Sequence, residues 1–133
     1  MSIDLASKRA VFKKYDIRGV YPEMVNEDLV YAVVKGLGKK VFKKGKVVLG
    51  RDVRNSSPSL YESAKKALSE IGEIEIEDVG IMTTPMLAFL INHIGASGGV
   101  MITASHNPRE DNGIKAAGAN GEVISGEEMY QLI

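Results

Sequence analysis

Lys46-Val47-Val48-Leu49-Gly50, then Ser57-Pro58, then Leu60, Ala64, Ala67, Leu68 and Ile71, then Ile74-Glu75-Ile76 is the run that decides the fold. The first piece is a short apolar strand that stops at a glycine. Ser57-Pro58 reads as a helix start, a capping serine followed by a proline whose missing N–H costs nothing in the first turn. The apolar residues after it recur every three or four positions, giving the helix one buried face up to a stop at Gly72. Isoleucines then alternate with glutamates, which suits a strand over 74–79 with one wet face. A period of two, then one near 3.6, then two again is strand, helix, strand, the unit from which parallel sheets covered by helices are built.

The same grammar extends both ways. Residues 1–14 read as a polar lead-in, and 17–21 as a brief strand broken by Gly19, turning at Pro22. Asn26 can cap a helix, with Glu27 and Asp28 suiting the positive end of its dipole. Leu29, Val30, Val33, Val34, Leu37 and Val41 would be its buried stripe, and Lys39, Lys40, Lys43 and Lys44 a solvated C-terminal end before Gly45. Downstream, Thr84-Pro85 opens a helix with Met86, Leu87, Phe89, Leu90 and Ile94 buried, ending at Gly95. His93 in its last turn is a partner for the dipole, and Met82, Met86 and Met101 fall in packing positions. Residues 99–103 form a core strand, 104–112 a loop, and 114–116 a strand that turns at Asn120-Gly121 into a return over 122–124. Ser125 with Glu128 makes a capping box for a last helix. The expected architecture is α/β, a three-layer α/β/α arrangement with a mainly parallel, mixed sheet of about four strands plus a C-terminal hairpin. The strand ends at Gly50, Gly80 and Thr103 should then share one edge, where open α/β sheets bind ligands.

Composition narrows the function classes. The 133 residues suit one domain, and 17 basic residues balance 17 acidic ones. A dedicated nucleic-acid or anionic-membrane binder would carry a basic excess. With no cysteine, disulfides, thiolate metal sites and thiol nucleophiles are excluded. Met1-Ser2-Ile3-Asp4-Leu5 has no basic start and apolar core, so it does not read as a secretion signal. No apolar run is long enough to span a bilayer. The reading is of a cytoplasmic protein.

The chemistry concentrates at Thr103-Ala104-Ser105-His106-Asn107-Pro108. It leaves the end of an apolar strand, and Pro108 keeps Asn107 out of helix. The result is a stiff loop presenting a hydroxyl beside an imidazole. A serine is a weak nucleophile unless a base, a metal or a charged pocket supports it. The longer string from Gly99 to Pro108, followed by Asp111-Asn112-Gly113-Ile114-Lys115, resembles the active-site signature of the α-D-phosphohexomutases. Lys14-Tyr15-Asp16-Ile17-Arg18-Gly19, Gly50-Arg51-Asp52-Val53-Arg54 and Asp78-Val79-Gly80-Ile81-Met82-Thr83-Thr84-Pro85 resemble other motifs of that family, in the right order. The likeness covers nearly the whole chain, and its form is that of the phosphomannomutase/phosphoglucomutase members.

The resemblance implies a first, phosphoserine-bearing domain. Ser105 would carry the phosphoryl group, give it to a hexose monophosphate to form a bisphosphorylated sugar, and take the other phosphate back. Mg²⁺ would be held through the phosphate on Ser105. Lys115 would be the general acid/base and a substrate contact. Arg18 would neutralise the transferring phosphoryl and bind substrate, and His106 would orient the loop near it. Plainer readings stand beside these: Lys115 as an exposed strand lysine, Arg18 in an ion pair with Asp16 or Asp52, His106 as a loop stabiliser, Arg51 and Arg54 as braces. The family's acidic metal loop, sugar-reading loop and phosphate-binding loop belong to later domains and do not occur here. The sequence therefore reads as a dissected domain or a short relative, with the remaining domains and a hexose phosphate as partners. The alternative class is a stand-alone, non-catalytic module binding phosphosugar or protein.

Overall fold

The computed structural model describes residues 3–133; Met1 and Ser2, part of the stretch read for a secretion signal, lie outside the described residues. A 3₁₀ segment, Ala6–Val11, is followed by β1 (Ile17–Val20), α1 (Glu27–Leu37), β2 (Gly45–Arg51), α2 (Ser57–Ser69), β3 (Ile74–Ile81), α3 (Thr84–Ile94), β4 (Gly98–Ile102), β5 (Asp111–Gly118), β6 (Val123–Ile124) and α4 (Gly126–Gln131). The strands make one mixed sheet in the order β1-β5-β4-β2-β3, with β6 also on β5. β2 runs parallel to β3 and to β4, while β5 is antiparallel to β4, β1 and β6. Expectation and structure agree on the mixed three-layer architecture and on the closing hairpin. Periodicity along the chain could not foresee that β5 inserts between β1 and β4.

Alternation along the strands divides the interior in two. Val47 and Leu49 of β2, Val100 and Ile102 of β4, and Ile114 of β5 face a large core shared with α1, α2 and α4. Val48, Met101 and Ala117 face the opposite way, into a smaller core closed by Leu87 and Ile91 of α3. α3 lies against β2 and β4. Fully burying side chains of this size is worth roughly 1.5–3 kcal/mol each, which holds the framework independently of the loops at its edge.

The ends of the elements follow local chemistry. The Asn26 side chain accepts from the Leu29 amide, and Ser125 and Glu128 form the expected capping box. Gly95 ends α3 in the left-handed conformation at φ 65°. Asn120 and Gly121 both take positive φ at the hairpin turn, the geometry that Asn-Gly favours. Three local expectations change. α1 stops at Leu37, and Gly38–Phe42 forms a wider helical turn, so Val41 comes to the surface. α2 begins at Ser57 itself, whose hydroxyl donates to the Asp52 carboxylate, and the preceding Ser56 makes no side-chain capping hydrogen bond. Met86 and Phe89 are exposed rather than buried, with Phe89 63% accessible and stacked on His93; α3 buries only Leu87 and Ile91 fully. Met82 and Met101 pack inside as expected.

One glycine sets the spacing of β1 on β5. Arg18 pairs with Gly113 across that ladder, and a Cβ on Gly113 would meet the Ile17 carbonyl oxygen at 1.9 Å. Gly113→Ala should lower stability by about 3 kcal/mol through overpacking, read as a lower urea midpoint with an unchanged slope.

Candidate active site

The C-terminal ends of the parallel strands lie level, with Arg51 paired to both Ile81 and Ile102. The segments that follow β2, β3 and β4 therefore meet at one edge. On the α3 side of the sheet they border a cleft of about 810 Å³ that includes Tyr15, Arg18, Thr84, Ser105, His106 and Lys115 in its lining. Lys115 sits opposite Met101, and Arg18 opposite Gly113. Positions 113 and 115 share a face because side chains alternate across a strand, so both cations come to the same side of the sheet.

Asp16 joins them. Its carboxylate is 3% exposed and accepts from Lys115 Nζ and from Arg18 Nε, each at 3.0 Å. Arg18 also donates through Nη1 to Asn107 Oδ1 at 2.8 Å. Asn107 in turn donates to Asp111 at 2.9 Å, and its amide closes a turn on the Ala104 carbonyl. One anion balances one of two cations, so the group carries net positive charge into the cleft. A buried carboxylate is tolerated only when paired and hydrogen-bonded, and Asp16 is both.

Ser105 is held differently. Its backbone is left-handed, at φ 57°, a region costing a non-glycine residue about 1–2 kcal/mol. Its amide donates to Thr103 Oγ1 at 3.0 Å, and that hydroxyl donates to Asp52 at 2.7 Å. Among the described residues, Ser105 Oγ is the buried side-chain polar atom with no hydrogen-bond partner. A buried hydroxyl left unmatched costs about 1–3 kcal/mol, and such atoms call for a functional explanation. His106, next in the chain, is exposed beside the cleft. Among the described residues no three His, Asp or Glu side chains cluster to hold a metal ion.

Asp52 is the second hub. It accepts from Ser57 Oγ at 2.5 Å, from Thr103, and from the amide and Nε of Arg54. Burial works against its ionisation, but the hydrogen bonds from Ser57, Thr103 and the Arg54 amide, with the Arg54 charge, outweigh it and hold the carboxyl below its usual range. Arg18, Lys115, Ser105 and His106 are thus gathered at one cleft, as the sequence led us to expect. Asp16, Asp52 and Thr103 were not singled out as site builders. Two acidic residues one or two places from arginines were the available signal, but nothing local shows which ones end up buried.

The fold and the site define a class: an α/β/α domain with a serine on a strained turn and two cations tied to one carboxylate, all bordering one cleft. Residues 9–133 match the family described as phosphoglucomutase/phosphomannomutase, alpha/beta/alpha domain I. The chain belongs to that family. It is 41% identical over 128 residues to a phosphoglucomutase of Neisseria gonorrhoeae, covering 94% of this chain and 27% of the relative. It is 40% identical over 116 residues to a phosphomannomutase of Klebsiella pneumoniae, covering 87% of this chain and 73% of that sequence. A phosphoglucomutase/phosphomannomutase family protein from Burkholderia thailandensis superposes with a TM-score of 0.79 at 30% identity, over 93% of this chain and 29% of that one. The chain thus spans about a quarter of the length of most of the curated relatives it matches.

The Asp52 reading predicts a pH dependence. A carboxyl whose folded-state pKa is depressed adds stability above its unfolded pKa and loses it as pH falls through the folded value. Asp52→Asn should cost about 2 kcal/mol at neutral pH. The gap from wild type should then narrow as pH drops below about 4, measured by urea unfolding across an acid series.

Proposed function

We propose that this chain is the phosphoserine-carrying domain of a hexose phosphomutase that interconverts hexose 1-phosphate and hexose 6-phosphate, of the mannose or glucose kind, in the cytoplasm. The observation that carries the reading is the meeting, in one cleft, of the unpartnered Ser105 hydroxyl with two cations fixed by the Asp16 carboxylate. Membership of the family supports it.

Phosphoryl transfer asks a protein for positioning and charge neutralisation more than for covalent help. A phosphate on Ser105 would occupy the atom that lacks a partner and place negative charge in the cleft that Arg18 and Lys115 line. In the transfer step a sugar hydroxyl attacks phosphorus as the bond from phosphorus to Ser105 Oγ breaks. Lys115 acts as the general acid/base, taking the proton from the attacking hydroxyl and supplying one to the leaving oxygen. Arg18 faces the equatorial oxygens with a planar fork suited to them. His106 borders the same cleft and orients the loop. The return of the second phosphate from the bisphosphorylated sugar to Ser105 reverses these roles.

The residues present fit a metal reached through phosphate better than one held in a preformed cage. Among the described residues no three His, Asp or Glu side chains gather to hold a metal, while Ser105 Oγ has no hydrogen-bond partner. Mg²⁺ bound through an oxygen of that phosphate would neutralise charge on the transferring group, its other ligands coming from further domains of the full-length enzyme. Those domains would also read the sugar, so the 133-residue chain by itself should show no mutase turnover.

The test is chemical. Incubation with a hexose bisphosphate should add the mass of one phosphate to full-length protein, mapped to Ser105. Ser105→Ala should abolish the mass shift and lower kcat by roughly 10³–10⁶-fold, with an unchanged circular dichroism spectrum. Retained turnover in that variant, or phosphate mapped elsewhere, would overturn the reading.

A further inference from the structure

Resting on the phosphoserine reading above, we propose that Arg54 is a positioning residue that sets the backbone geometry of Ser105 for phosphoryl transfer. Its guanidinium reaches four backbone carbonyls of the serine loop. Nη1 donates to Pro108 at 2.6 Å and to Asp111 at 3.1 Å; Nη2 donates to Ser105 at 2.8 Å and to Asn107 at 2.9 Å. Nε donates to Asp52 at 3.0 Å. A guanidinium has five N–H donors in a fixed plane and no acceptor, and here each finds an oxygen.

The arrangement fixes Ser105 from both sides. Arg54 holds the serine's own carbonyl, while Asp52, its ion-pair partner, holds the Thr103 hydroxyl that receives the serine's amide. The amide and the carbonyl of one residue are thereby tied to a single pair at the end of β2. That pair lies 51 residues away in the chain. A non-glycine backbone at φ 57° persists only where its surroundings over-determine it. The clamp supplies that over-determination.

Arg54 is not a structural element of the core. Its partners are loop carbonyls and Asp52, and it belongs to neither hydrophobic core. β4 and β5 are held by their own ladder, from Gly98↔Gly118 to Ile102↔Ile114. His106, Pro108, Arg109 and Glu110 are exposed, so water can reach the loop if the guanidinium is removed. Loss of Arg54 should therefore release the loop while leaving the sheet in place. Lysine cannot substitute, because a single ammonium with three donors does not span four carbonyls.

The test compares Arg54→Ala, Arg54→Lys and Ser105→Ala in the full-length enzyme. Misplacement of a reacting group by about 1 Å costs on the order of 10²-fold. Arg54→Ala should lower kcat by about that factor, with KM for the hexose phosphate within about threefold of wild type, since the loss falls on the transition state. Arg54→Lys should resemble Arg54→Ala rather than wild type. Hydrogen exchange at the Ser105 and Asn107 amides should accelerate by at least tenfold, while Val100 to Ile102 keep their protection. A purely structural role predicts lower thermal stability but normal kcat per folded molecule, and that result overturns the proposal. So does full activity in Arg54→Lys, which keeps the test decisive if Arg54→Ala fails to fold. Turnover surviving Ser105→Ala would instead sink the phosphoserine reading, whatever the arginine variants do.

Discussion

An ionised carboxylate at the end of β2, only partly in contact with water, ties three elements together. Asp52 receives the start of α2 through Ser57, the end of β4 through Thr103, and the serine loop through Arg54. Buried charge is expensive, and it survives here because every hydrogen bond to it favours the charged form. The sheet alone would bring the strand ends level. It would not dictate the path of the chain between Ile102 and Asp111, where the ladder stops and the loop begins. That path is set by polar contacts made across the edge.

Asp16 does the corresponding work for the cations. Without it, Arg18 and Lys115 would repel one another on neighbouring strands. With it, they are drawn to one point and remain short of neutrality by one charge. On the proposed function, this is a site prepared for phosphate before any phosphate arrives. Preorganised charge of this kind needs no rearrangement at the moment of reaction, the condition under which electrostatics contribute most to rate. Gly113 belongs to the same arrangement, because β1 can approach β5 closely enough to carry Arg18 into place only where no side chain intervenes.

The two hubs are separate in sequence and in chemistry. One fixes the hydroxyl, the other fixes the charges around it, and Asn107 connects them by accepting from Arg18 while its carbonyl accepts from Arg54. The exposed face of α3, with Met86 and Phe89, lies outside this network.

Much of this molecule was legible in its sequence because the relevant forces are local. Strand and helix periods, the Asn26 cap, the Ser125–Glu128 capping box and the Asn120-Gly121 turn depend on neighbours a few positions apart. So does the turn at Ser105-His106-Asn107-Pro108, although its serine Oγ is buried where an exposed hydroxyl was expected; the resemblance of its segment to a known motif supplied Lys115, and that of Lys14 to Gly19 supplied Arg18. What the sequence could not decide are pairings made across the fold: β5 lodged between β1 and β4, Lys115 on Asp16 at a separation of 99 residues, and Thr103 on Asp52 at 51. Whether an aspartate is a surface charge or a buried hub depends on which strands flank it, and strand order is settled only when the sheet closes.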